Sequence, residues 1–122
     1  MPNEPPPVQV EFAPEFKRNL RALAKKYRHI RSDVQPAIEQ IERGEFISDR
    51  IPGTSYVVFK VRVINSDIPK GKSSGYRLIY QVRNPTLALL ATIYSKLDQA
   101  DISPEQIRRI LIEFDNVRVG RS

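Results

Sequence analysis

Between Tyr56 and Lys96 the chain reads YVVFKVRVINSDIPKGKSSGYRLIYQVRNPTLALLATIYSK, three β-rich runs separated by two turn-rich connections. Side chains that alternate apolar and polar with a period of two suit a strand with one buried face and do not suit a helix. Three such runs in succession predict an antiparallel sheet. In the first run Val57, Phe59, Val61 and Val63 fall on one face and Val58, Lys60, Arg62 and Ile64 on the other, so Lys60 and Arg62 point the same way. The connection NSDIPKGKSSG is rich in turn formers and reads as a long exposed loop carrying Lys70 and Lys72. In YRLIYQV, Arg77 and Ile79 lie opposite Tyr76, Leu78 and Tyr80, whose shared face reads as core. Asn84 and Pro85 make the next turn, and LALLATIYSK, apolar on both sides, suits a central strand ending at Lys96.

The remaining segments read as cover for this sheet. Residues 1–7 hold Pro2, Pro5, Pro6 and Pro7 and are expected to form a mobile leader ahead of a single domain over 8–122. Val8, Val10 and Phe12 alternate as a short strand. Pro14 suits a first helical turn, and Phe16, Leu20, Leu23, Ala24, Tyr27 and Ile30 follow at helical spacing. A second helix is expected to begin near Asp33 or Gln35, to hold Pro36 in its first turn, to bury Val34, Ile38 and Ile41, and to stop at Gly44. The clearest boundary is the last: Ser103 as N-cap, Pro104 first and Gln106 three after the cap form a capping box, with Ile102 stapled onto Ile107. The expected fold is α+β, a small antiparallel sheet in the order β-α-α-β-β-β-α with a helical hairpin packed on one face.

Charge narrows the function. Lys and Arg outnumber Asp and Glu by 20 to 14 and give a formal charge of +6, which favours polyanionic partners. The absence of Cys excludes disulfides and thiolate chemistry and fits a cytoplasmic protein. The start MPNEPPPVQV lacks a charged leader before an apolar run, and no stretch of about eighteen apolar residues exists to cross a membrane, so neither secretion nor membrane insertion is expected. The single histidine, His29, falls at a helix end among Tyr27, Arg28 and Arg31, a surface placement rather than a catalytic one. Asp98 and Asp101 stand just before a helix, where negative charge is favoured without a metal, so no metal site or cofactor is expected. Gly71-Lys72-Ser73 imitates the end of a phosphate-binding loop, but Ser66 stands where that loop needs glycine, and a strand follows rather than a helix.

The segment SSGYRLIYQV (73–82) followed by IYSK (93–96), within this order of elements, resembles the RelE/ParE superfamily of toxins from type II toxin-antitoxin modules, closest to its HigB/RelE-like branch. The resemblance spans roughly 8–114. It implies a ribosome-dependent endoribonuclease that cuts mRNA in the ribosomal A site and is held inactive by an antitoxin, expected to be acidic and partly disordered. Carried over by position, Lys60 and Arg62 match the basic pair of the family's first long strand, Arg77 the arginine of its GYR segment, and Lys96 the basic residue ending its last strand. The first match places the long loop as an insertion; placed otherwise, Lys70 and Lys72 fill part of that role. The family's tyrosine after the last basic residue has no counterpart in LDQADIS, and Tyr94 lies in the strand itself.

Metal-independent RNA cleavage needs a base for the 2′-hydroxyl, cations for the phosphorane charge and an acid for the leaving 5′-oxygen. Crowded cations lower a lysine from its reference pKa of ~10.4, which makes Lys60 the candidate base. Arg62 and Arg77 offer planar donors to phosphate, with Arg77 the expected transition-state stabiliser, and Lys96 is the candidate to protonate the leaving oxygen or to hold the neighbouring phosphate. Lys70, Lys72 and Tyr94 are candidate RNA-binding residues, Tyr94 by base stacking. Any one strand lysine is more often a solvated charge than a catalyst, so it is the convergence of four cations that matters. Two alternatives share the fold: a ParE-like toxin that poisons DNA gyrase without cutting RNA, and an inactive module that binds only antitoxin or nucleic acid.

Overall fold

A computed structural model of the chain describes residues 7–46, 48–69 and 74–119. The elements run β1 (Gln9–Phe12), α1 (Pro14–Ala24), α2 (Ile30–Glu42), β2 (Asp49–Arg50), β3 (Val58–Val63), β4 (Tyr76–Asn84), β5 (Leu87–Ser95) and α3 (Pro104–Val119). They build one five-stranded sheet in the order β1-β5-β4-β3-β2.

Two expectations about the sheet are corrected. It is mixed rather than antiparallel, because β1 pairs parallel with β5 while the other neighbours are antiparallel. After the helices the chain enters at the far edge and meanders back, so its last strand arrives beside its first and runs the same way. The element order also gains β2, a two-residue strand opposite Phe59 and Lys60. Asp49 and Arg50 are both exposed and form a strand through backbone pairing at an edge, which leaves no hydrophobic period to read. Among the described residues, no strand pairs with Val61–Val63 on that outer side.

The second helix is corrected too. It starts at Ile30, with His29 at its N-cap, and Pro36 lies in its interior. An interior proline removes the hydrogen bond to the carbonyl four residues back and costs ~3 kcal/mol or more. Burial outweighs it: Ile30, Val34, Ala37 and Ile41 are 8% exposed or less, and fully burying a large aliphatic side chain is worth about 1.5–3 kcal/mol. Gly44 then closes the helix at φ 79°. At α3 the capping box forms as read, the Gln106 N–H donating to Ser103 Oγ at 3.1 Å and the Ser103 N–H to Gln106 Oε1 at 3.1 Å.

The helical hairpin of α1 and α2 packs on one face of the sheet, where Phe16, Ile30, Val34 and Ile41 meet Tyr76, Leu78, Tyr80 and Leu90. The opposite face is not a bare cationic surface. Ile107, Leu111 and Phe114 of α3 cover its Val58, Ile79 and Leu89 end, so the sheet lies between two helical layers and the basic strand residues share a face that is partly apolar core. No helix among the described residues is long and apolar enough to cross a membrane.

Candidate nucleic-acid interface

The site is laid out by strand register. Arg62 on β3 stands opposite Arg77 on β4, and Arg77 opposite Tyr94 on β5, while Lys60 stands opposite Ile79 in the row two residues away. Directly opposed residues share a face, so Lys60, Arg62, Arg77 and Tyr94 all project to the α3 side of the sheet. Like charges directly opposite one another across two strands are in general destabilising.

Gly75 sets the close approach that brings this row together. A Cβ there would lie 2.0 Å from the Val63 carbonyl oxygen, so the residue opening β4 has no room for a side chain. The Gly75 carbonyl in turn accepts from the Lys96 N–H at 2.9 Å, which pins the end of β5 beside the start of β4.

Lys96 then opens a tight arch into α3. Its Nζ donates to the Ala100 carbonyl at 2.7 Å, and Gln99 Nε2 donates to the Asp101 carbonyl at 2.9 Å. The arch presents the Asp101 carboxylate to the basic cluster: Oδ1 accepts from the Ile102 N–H at 2.8 Å and lies 3.4 Å from Lys60 Nζ. The Asp101 carboxyl is held below its usual range chiefly by that Ile102 N–H; burial opposes it next, and Lys60 and then Lys96 add to the lowering. Burial pushes the Tyr94 phenol up, Asp101 pushes it further, and Arg77 pulls it back. Asp101 therefore sits within electrostatic reach of Lys60, Lys96 and Tyr94, and Tyr94 within reach of Arg77. The Tyr94 hydroxyl is buried without a hydrogen-bond partner. The hydroxyls of Tyr76 and Tyr80, on the hairpin face, are buried in the same condition.

Strand register thus sets Lys60, Arg62 and Arg77 on one face, while Lys60 and Lys96 share an electrostatic reach to Asp101; their access is unequal. Arg62 and Lys96 are exposed, the Lys60 side chain is 27% exposed, and Arg77 is 5% exposed with Nη1 donating to the Tyr76 carbonyl at 3.1 Å. Arg77 forms the floor and Arg62 the accessible planar donor, the reverse of the emphasis expected. Tyr94, 6% exposed and packed in the α3-side core, has no ring face free for base stacking, and its buried hydroxyl feels Asp101 and Arg77 through their charge alone. Lys70 and Lys72 lie outside the described residues. The case for Lys60 as a base assumed only cations around it, and the Asp101 carboxylate beside it removes that premise.

Asp101 was missed by sequence reasoning because an acid before a helix already had a sufficient explanation. A cleft of about 310 Å³ beside it, lined by Asp49, Arg50, Ile51, Lys60, Ile102 and Pro104 among others, depends on β2 and was equally illegible. His29 stands apart from the cluster, its ring nitrogen 2.7 Å from Asp67 and its N–H donating to the same carboxylate at 3.1 Å. Among the described residues no group of three or more His, Asp or Glu is gathered so as to hold a metal ion. Compared with known proteins, the chain matches no protein-family model and no curated protein sequence.

Proposed function

We propose that the chain is the toxin of a type II toxin-antitoxin module of the RelE/ParE kind, acting as a ribosome-dependent, metal-independent mRNA endoribonuclease. The observation that carries this reading is the pairing of Arg62 with Arg77 across β3 and β4, with Lys60 on the same face and both Lys60 and Lys96 in electrostatic reach of Asp101. A phosphodiester there meets fixed positive charge from Arg77 below, a planar donor from Arg62 at the rim, and ammonium groups from Lys60 and Lys96. The 2′-hydroxyl attacks the adjacent phosphorus, and Lys96 protonates the leaving 5′-oxygen. An acidic antitoxin that covers this cleft removes the activity, and the net charge of +6 favours such a partner.

The test is expression of the chain alone, followed by primer extension on translated mRNA. Growth arrest with new mRNA 5′ ends, both lost in Arg62→Ala, is the expected result. Arrest with intact mRNA and inhibited supercoiling would instead favour the gyrase-poisoning alternative.

A further inference from the structure

The proposed cleavage leaves one role unfilled, because something must take the proton from the attacking 2′-hydroxyl. Lysine ammonium and arginine guanidinium groups have donors and no acceptor, which removes Lys60, Arg62, Arg77 and Lys96. Burial keeps the Tyr94 proton in place. Among the described residues two carboxylates line the cleft beside Lys60, Asp49 and Asp101, and Asp101 is the one that Lys60 Nζ contacts and that also lies within reach of Lys96 and Tyr94. Its side chain is 70% exposed and so reachable by RNA. Both contacts that hold it, from the Ile102 N–H and from Lys60 Nζ, fall on Oδ1, which leaves Oδ2 to accept.

We infer that Asp101 is the general base of the cleavage reaction, a role that rests on the ribonuclease reading above. Asp101 Oδ2 takes the 2′-hydroxyl proton as the 2′-oxygen bonds to phosphorus; the bond from phosphorus to the 5′-oxygen breaks, and that oxygen takes a proton from Lys96. The products are a 2′,3′-cyclic phosphate and a 5′-hydroxyl end, with no oxidant, metal or further reactant required. Lys60 becomes a positioning residue, holding the carboxylate from one side while it meets the phosphate with its charge. The groups facing Asp101 are Asp49 and Arg50 from β2, Lys60 from β3, and Tyr94 and Lys96 from β5 and its end, with Arg77 of β4 behind Tyr94. The local N–H and the two lysines keep the carboxyl ionised below its usual range, so its base form is present throughout neutral pH.

The experiment compares the full chain with Asp101→Asn and Asp101→Glu. Asparagine keeps the acceptor for the Ile102 N–H, so the arch persists while the base is removed. Cleavage is read by primer extension on translated mRNA, and binding by an mRNA fragment with 2′-deoxy substitutions that prevent cutting. The expected result is cleavage at least about 100-fold slower in Asp101→Asn, with binding equal to or tighter than that of the unaltered chain, and partial recovery in Asp101→Glu. Between neutral pH and the carboxylate range the unaltered rate should be flat. Undiminished cleavage by Asp101→Asn overturns the inference and leaves the ribonuclease reading standing, as does a rate that climbs from neutral into alkaline pH as a lysine base requires. Slower cleavage matched by equally weakened binding assigns Asp101 to RNA positioning and overturns it as well. Absence of cleavage by the unaltered chain overturns both.

Discussion

One row of side chains crossing β3, β4 and β5 consists of Val61, Leu78 and Ile93; the next, one residue along each strand, consists of Arg62, Arg77 and Tyr94. The backbone is the same and the faces are opposite. The first row packs under the helical hairpin, with Leu78 and Ile93 fully buried. The second sets two like charges side by side and buries a phenol whose hydroxyl has no partner. Burial of apolar surface stabilises the first row, whereas repulsion and an unsatisfied polar atom destabilise the second. The contrast is one of rows rather than of whole faces, since both faces also contribute apolar core and the hairpin face has buried unpaired hydroxyls of its own at Tyr76 and Tyr80.

The comparison can be broken most forcefully from its stable side. Leu78→Ala should lose about 2–5 kcal/mol in urea unfolding, while molecules that stay folded cut RNA at the ordinary rate. A loss below about 1 kcal/mol would mean that the hairpin face is not where the fold is held. Gly75→Ala should come next, at about 1–3 kcal/mol, since its new methyl must push β4 from the Val63 carbonyl. Unlike the leucine change it should also abolish cleavage, because Lys96 hangs from the same glycine; retained cleavage would show that this tie does not place the site. Arg62→Leu tests the other row. Relief of the arginine pair should gain about 0.2–1 kcal/mol, while RNA affinity falls and its logarithmic salt slope shrinks by about 0.7. A loss of both stability and binding would argue that the two rows are not divided as described.

The smallest effect concerns the periphery. His29 holds the Asp67 carboxyl below its ordinary value through a side-chain hydrogen bond, with the His29 backbone N–H adding to it. A depressed folded-state pKa contributes stability above the unfolded value, lost as pH falls through the folded one. Acid unfolding below about pH 4 should therefore be shallower in Asp67→Asn, with cleavage at neutral pH unchanged. Matching acid profiles for the two proteins would remove this contact from the account.

Features carried by local pattern were legible in the sequence. The Ser103 and Gln106 cap, the shared direction of Lys60 and Arg62, and the core face of Tyr76, Leu78 and Tyr80 follow from spacing over a few residues. Features made by distant parts of the chain were not. Asp101 meets Lys60 across 41 positions, and only the turn after β5 brings them together. Pro36 misled for a related reason: its local preference marks a helix start, yet the apolar contacts of Ile30 and Val34 extend the helix ahead of it. The parallel seating of β1 beside β5 depends on the path of the whole chain, to which an isolated strand pattern is blind.

The short reach of β2 carries a consequence for the molecule in crowded solution. Past Phe59 and Lys60 the outer border of β3 pairs with no strand among the described residues, and a border of that kind is where an extended polypeptide, including a twin of itself, can add. A guanidinium in the middle of that border, repeated on each copy, discourages such stacking. Arg62 is thus a guard against stickiness whatever its part in the proposed binding of phosphate, and a chain relieved of its charge would become sturdier and more gregarious together.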